Sequence, residues 1–203
     1  LNALAPDRIS YPVYAAIWRA VLGDTDMTVG ANGKTGSFKS EIASLAQRHW
    51  GSQLDARHLP ANWGSSGNFL EAIAHSAKDA MMVIDDFCPP AGPDAPRYNQ
   101  KADQVLRAAG NGAGRQRMRA DTTLRPEKPP RCLILSTGED SPKGQSLQAR
   151  MLQVAAAPRG TALYSDTPDF VAWTLKRPVV WMSLAEYLAL PSRTNGAVAA
   201  LRP

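Results

Sequence analysis

The residues best suited to chemistry in this chain are one short stretch, Gly33-Lys34-Thr35-Gly36-Ser37-Phe38-Lys39-Ser40, and two acids downstream, Asp85 and Asp86. A nucleoside triphosphate needs backbone N–H groups converging on its oxygens, an ammonium on the β- and γ-phosphates and a hydroxyl on Mg²⁺. Glycines let a loop curl tightly enough to aim those N–H groups, and a helix opening behind the loop adds the positive end of its dipole. The stretch holds all of these parts. The acids close an apolar run, Met81-Met82-Val83-Ile84-Asp85-Asp86, so both carboxylates stand at the tip of a buried strand. Asp85 is placed to hold Mg²⁺ opposite Ser40, and Asp86 to orient and polarise an attacking water. Without the loop, two acids after a strand read as a solvated turn or a helix cap.

The usual spelling of such a loop, G-x-x-x-x-G-K-[ST], fits in two registers. Counted from Gly33, the lysine is Lys39 and the hydroxyl is Ser40, with Phe38 where the second glycine is spelled. Alternatively, Gly33-Lys34-Thr35 spells the motif's end literally, with Thr28 in place of the first glycine. Helix placement favours the first. Phe38, Ile42, Leu45 and Ala46 recur at helical spacing through Trp50, and Ser37 is a suitable N-cap, which puts Lys39 in the first turn. The second register would bury Gly36 inside the helix at a cost of about 1 kcal/mol.

These residues need elements to position them. Helical periodicity is expected over 11–22, 37–50, 68–80 and 99–109, and strands over 27–31, 54–59, 81–85 and 132–137. Residues 146–154 read as a turn into a final strand, and 168–176 and 180–190 as two short helices before a tail from Pro191. Strands alternating with helices imply an α/β fold, three layers deep, with a mostly parallel central sheet. Ligands then bind beyond the carboxyl ends of the strands, where the loop, Asp85, Asp86 and Thr137 are all expected.

Length and composition bound the answer further. With 203 residues the chain suits one domain: an N-terminal helix in 1–25, a core in 26–154 and C-terminal helices and tail in 155–203. Opening at Leu1 rather than Met is expected of a piece of a longer protein. No apolar run approaches a membrane span and no signal peptide is visible. Two cysteines, Cys88 and Cys132, read as a reduced pair, which with the missing signal peptide gives a cytoplasmic expectation. His49, His58 and His75 show no metal spacing. A net charge of +5 is compatible with a polyanionic partner.

Much of that charge lies between the two strongest strands. Residues 110–131 carry Arg115, Arg117, Arg119, Arg125, Lys128 and Arg131 among glycines and without periodicity. Such a segment suits phosphodiester contacts with little base readout, or is simply a solvated loop. Thr137 ends the second strong strand, where its hydroxyl could meet a γ-phosphate, and Glu139 and Asp140 follow it. Arg150 lies just beyond, suited either to a neighbouring subunit's γ-phosphate or to a surface ion pair.

In order and type, these features resemble the P-loop ATPase domains of primase–helicase replication proteins of phages, plasmids and integrated elements, related in layout to superfamily 3 and AAA+ helicases. The resembling blocks are Gly33 to Glu41, Met82 to Phe87, Gly110 to Met118, Leu133 to Asp140 and Ser146 to Leu152. The resemblance implies ATP with Mg²⁺, bound by the loop 33–40 between subunits of a hexameric ring. It implies Lys39, Ser40 and Asp85 at phosphate and metal, Asp86 as the catalytic acid, Thr137 as a sensor and Arg150 as a finger reaching the next subunit. The arginine-rich segment then looks like a pore loop facing single-stranded DNA. No primase motif is present in the chain. Two other readings stand beside this one: a small-molecule or nucleotide kinase with the arginine-rich segment as its lid, and a nucleic-acid-binding module whose loop no longer hydrolyses ATP.

Overall fold

A computed structural model describes Ala5 and residues 7–155. The expected helices at 168–176 and 180–190 and the tail lie outside these residues. The chain opens with α1 (Asp7–Val21), then β1 (Thr28–Asn32) and α2 (Lys39–Gln47), which tightens into a 3₁₀ turn (Arg48–Trp50). Next come β2 (Ala61–Asn62), α3 (Gly67–Ser76), β3 (Met81–Phe87), α4 (Ala95–Asn111), β4 (Leu133–Gly138), α5 (Gln145–Gln148) and β5 (Met151–Ala155).

The five strands form one wholly parallel sheet in the order β2-β3-β4-β1-β5. Strands β3 and β4 are uniformly apolar because both of their faces are covered: Met81 to Ile84 and Leu133 to Leu135 have no exposure. The order also fixes the layers. The crossover from β1 runs across the sheet to β2 at its far edge, whereas those from β2, β3 and β4 run back the other way. Right-handed crossovers therefore put α2 on one face and α3, α4 and α5 on the other. Helix α1 packs beside α2, and α4 touches both α3 and α5. This is an α/β P-loop-type fold. No helix among the described residues is long and apolar enough to cross a membrane.

Three local expectations are corrected. The segment 54–59 is not a strand. Asp55 instead closes a turn, its carboxylate accepting the N–H groups of Arg57 at 2.9 Å and His58 at 3.1 Å, and the short strand β2 begins only after Pro60. Ser37 does not cap α2. Its hydroxyl donates to the Lys34 carbonyl at 2.8 Å, and the capping position falls to Phe38, whose carbonyl accepts from Ile42 at 3.0 Å. Helix α1 begins a turn earlier than expected and runs through Pro12. The arginine-rich segment also contains a small antiparallel ribbon, with Met118 opposite Leu124 and Arg119 N–H donating to Thr123 C=O at 2.8 Å.

Candidate active site

Strand β4 lies between β1 and β3, and this insertion builds the site. Strand β1 delivers the loop 33–38, β3 delivers Asp85 and Asp86, and β4 delivers Thr137 between them. The connections from β1 and β4 leave for opposite faces of the sheet, which opens a crevice at their carboxyl ends. The Gly33 N–H donates to the Gly138 carbonyl at 3.0 Å and anchors the start of the loop to the end of β4.

The loop turns twice through the left-handed region, at Gly36 (φ 81°) and at Phe38 (φ 56°). Glycine takes that conformation freely; a phenylalanine there costs on the order of 1–2 kcal/mol. Part of that cost is offset by packing, because the half-buried Phe38 ring lies against the core. Lys39 is the first residue of α2, and its ammonium folds back over the loop to the Lys34 carbonyl (2.9 Å) and the Ser37 hydroxyl (3.3 Å). Burial lowers its pKa below the ordinary lysine value, against the opposing influence of Glu139, Asp85 and Asp86. A partly desolvated ammonium ringed by loop oxygens and acids is suited to a phosphate that would replace those contacts.

The acids sit on a bulge. Ile84 pairs with Ser136 and Phe87 with Gly138, so Asp85 and Asp86 together oppose the single residue Thr137. Asp86 adopts φ 64°, a conformation aspartate tolerates better than most residues, and bulges of this kind re-aim side chains beside active sites. Asp85 Oδ1 accepts from the Ser40 hydroxyl at 2.7 Å and also from the Thr137 hydroxyl. Thr137 Oγ1 in turn accepts the Asp86 N–H at 3.2 Å. The Asp86 side chain is exposed above this cluster. A hydroxyl on a helix's first turn facing a carboxylate fits Mg²⁺, which takes one or two protein oxygens and completes its octahedron with water and phosphate. No group of three or more His, Cys, Asp or Glu side chains positioned for a metal occurs among the described residues, so an all-protein cage is not the alternative.

Gly33 to Ser40, Asp85, Asp86 and Thr137 are therefore brought together. Lys34 lies in the loop and contributes its carbonyl to the Lys39 ammonium. Arg150 is not brought to this cluster. It precedes β5, whose first residue pairs with the first residue of β1, and so stands at the amino edge of the sheet. The five residues of β1 put it about 16 Å from the loop at ~3.3 Å per residue. Its guanidinium donates to Ser146 Oγ at 2.7 Å and to Asn111 Oδ1 at 3.0 Å. In the arginine-rich segment, Arg115 and Arg117 both engage Glu71 on α3, and Arg119 donates to the Thr123 hydroxyl at 3.3 Å. Arg125 is exposed on the ribbon, and its backbone N–H pairs with the Arg117 carbonyl.

Several contributors carry no motif. Glu139 accepts from Thr35 Oγ1 and so ties the loop to the end of β4. The Trp63 indole donates to Ser136 Oγ at 2.9 Å and packs edge-on against Phe87 at 5.4 Å. Tyr98 also packs against Phe87, at 5.5 Å between ring centres, and donates its hydroxyl to the Asp86 carbonyl at 3.1 Å. Of these, only Glu139, directly after the end of the second strong strand, stood out in the sequence.

No protein-family model and no curated protein matches this chain. Among solved structures it is similar to the SCCmec type IV Cch active helicase, at 18% identity over 89% of this chain and 32% of that one, with a TM-score of 0.49. It is also similar to the JCV helicase, at 17% identity over 100% of this chain and 52% of that one, with a TM-score of 0.47. The chain thus spans between a third and about half of these proteins' length. The fold assignment rests on the sheet itself.

Proposed function

We propose that this chain is an ATP-hydrolysing motor domain that acts on DNA, a helicase or translocase in the replication of a mobile genetic element. The observation that carries the reading is the double acceptance at Asp85 Oδ1 from Ser40 and Thr137. Helix α2 and strand β4 each donate a hydroxyl to one carboxylate of β3, in the arrangement a Mg²⁺–triphosphate needs. In this reading Lys39 holds the β- and γ-phosphates, Ser40 and Asp85 hold Mg²⁺, Asp86 activates the attacking water and Thr137 senses the γ-phosphate. The N–H groups of residues 33–40 surround the phosphates. Bound Mg²⁺ would supply charge neutralisation at the β- and γ-oxygens.

The position of Arg150 supports a role in trans. At the amino end of β5 it stands too far from its own loop to reach it, so any phosphate it serves belongs to a neighbouring copy in a ring, for which we propose a hexamer. The exposed ribbon supports a contact with single-stranded DNA: Arg119 and Arg125 carry charge, and Met118 and Leu124 present an apolar pair. Arg115 and Arg117, held by Glu71, brace its base. In this reading residues 26–154 are the ATPase core and 1–25 its N-terminal flank, which carries α1.

The test is binding of a fluorescent ATP analogue with Mg²⁺ to the unaltered chain, Lys39→Ala and Lys34→Ala, followed by hydrolysis with and without single-stranded DNA. Binding lost only in Lys39→Ala, with hydrolysis stimulated by DNA, is the expected result. Loss only in Lys34→Ala moves the site to Gly33-Lys34-Thr35. Hydrolysis indifferent to DNA favours the kinase.

A further inference from the structure

A cleft of about 640 Å³ opens between the start of α3 and the first turns of α4, beside the nucleotide site and separate from it. Its walls come from parts of the chain far apart in sequence. Asn68 comes from α3, Arg97, Lys101 and Gln104 from α4, and Arg115 from the segment that follows. Three cations line it with one acid, Asp94; of these Arg115 is already paired with Glu71 of α3 and donates to Asn68 Oδ1 at 2.7 Å, which leaves Arg97 and Lys101 as the charges offered to a ligand. Arg97 forms no ion pair among the described residues, and both Arg97 and Gln104 are exposed. The Lys101 ammonium lies 4.7 Å from the centre of the Tyr98 ring and donates to the Trp63 carbonyl and, at 3.0 Å, to the Ser65 carbonyl. Burial and the nearby Arg97 both lower its pKa. Ser66, also in the lining, caps α3 by accepting from Phe69. The helix's first N–H groups, at Gly67 and Asn68, have no intrahelical acceptor.

We propose that this cleft binds the phosphodiester backbone of a single nucleic-acid strand. The proposal deepens the nucleic-acid part of the function above and rests on it. Guanidinium and ammonium groups neutralise phosphates and supply most of the binding energy. The amides of Asn68 and Gln104 suit sugar and base edges, whose contacts orient a strand more than they select a sequence. The volume is that of a small-ligand site, which admits a short stretch of one strand and not a duplex. The Tyr98 face is already covered by Lys101, so the site grips backbone and does not stack bases. The cleft is also wired to the chemistry. Lys101 holds the loop that carries Trp63, and Tyr98 donates to the Asp86 peptide. A phosphate held beside Lys101 where it stands over Tyr98 therefore lies next to the contacts that support the bulge carrying both acids.

The test uses the full 203-residue chain. Fluorescence anisotropy of a labelled oligothymidylate is measured over a salt series for the unaltered chain, Arg97→Ala, Arg97→Glu, Gln104→Glu and Arg119→Ala/Arg125→Ala. The fluorescent ATP analogue is titrated in parallel. Both exposed charge substitutions are expected to weaken the strand roughly tenfold and to leave the ATP analogue unaffected. Arg97→Ala should lower the slope of log K against log salt by about 0.7, the share of one phosphate contact on a single strand. Unchanged strand binding in Arg97→Glu and Gln104→Glu, with loss in Arg119→Ala/Arg125→Ala, overturns the cleft and leaves the ribbon as the contact. No strand binding by the unaltered chain that still binds the ATP analogue overturns both the cleft and the nucleic-acid reading. Arg97-dependent binding of inorganic phosphate without binding of the strand also overturns it, since the site would then serve a small anion.

Discussion

Replacing Gln47 by leucine should loosen the strand that carries Asp85, and the reason lies in how short β2 is. In a parallel ladder, successive residues face alternate neighbours. The Asp85 carbonyl accepts from Trp63 N–H at 2.9 Å, so the odd-numbered residues of β3 face β2. Strand β2 has only two residues, paired with Ile84 and Asp85, and nothing of it lies opposite Met81 and Val83. Gln47 of α2 takes its place: its amide donates to the Met81 carbonyl at 2.6 Å and accepts from the Val83 N–H at 2.6 Å. All three residues are fully buried. Gln47→Leu keeps the volume and strands two main-chain groups, each costing about 1–3 kcal/mol, partly offset by no longer burying an amide. A net loss of about 2–4 kcal/mol lowers Tm by roughly 5–15 °C for a chain of this size. Calorimetry or a circular-dichroism melt reads this directly. Gln47→Glu sharpens the test. A protonated carboxyl can still donate to Met81 and accept from Val83, whereas the carboxylate cannot donate. Burial raises its folded-state pKa above the unfolded value, so its stability is fully present below the unfolded pKa and is lost as pH rises through the folded one. A Gln47→Leu variant melting within 2 °C of the original, or a Gln47→Glu variant whose deficit ignores pH, refutes the argument.

Gly138→Ala should disturb the site from below, because a Cβ there would stand 2.4 Å from the Phe87 carbonyl oxygen, a backbone atom that cannot swing aside; nucleotide affinity and Tm are both expected to fall, and an unperturbed variant would mean the β3 bulge yields easily. Nucleotide affinity should decline as pH rises through a value below the ordinary lysine pKa of 10.5, since burial favours the neutral amine of Lys39. Lys39→Arg, which does not titrate there, should give a flat profile over the same range. Thiol labelling of the native chain should modify one cysteine quickly: Cys88 is exposed, whereas Cys132 is buried with its pKa pushed up to about 12. Mass spectrometry that finds Cys132 modified before unfolding would contradict the packing of β4.

The parts of the site with a local cause were legible in the residues. Gly36 and the polar run to Ser40 need only a tight turn before a helix, and the structure starts α2 at Lys39. Met81 to Asp86 and Leu133 to Thr137 are apolar enough to read as central strands, because their burial on both faces leaves no alternation to decipher. The two-residue strand β2 was misread because a strand that short has no period, and Leu54 to Leu59 imitated one. The bulge at Asp85 and Asp86 was invisible, since two acids after a strand look alike whether or not an extra residue is inserted.

By itself, then, the sequence determined which residue types meet at the ends of strands: a phosphate loop, a pair of acids, a terminal threonine and a cationic segment. These follow from local periodicity and from the chemistry of single side chains. Only the tertiary structure decided that β4 lies between β1 and β3, that Asp85 accepts from both Ser40 and Thr137, that Gln47 completes a strand edge, and that Arg150 stands at the opposite end of the strands from the loop. Strand order and register are set by burying every apolar face at once and by satisfying every main-chain group. Those conditions hold over the whole fold and are written in no single segment of it.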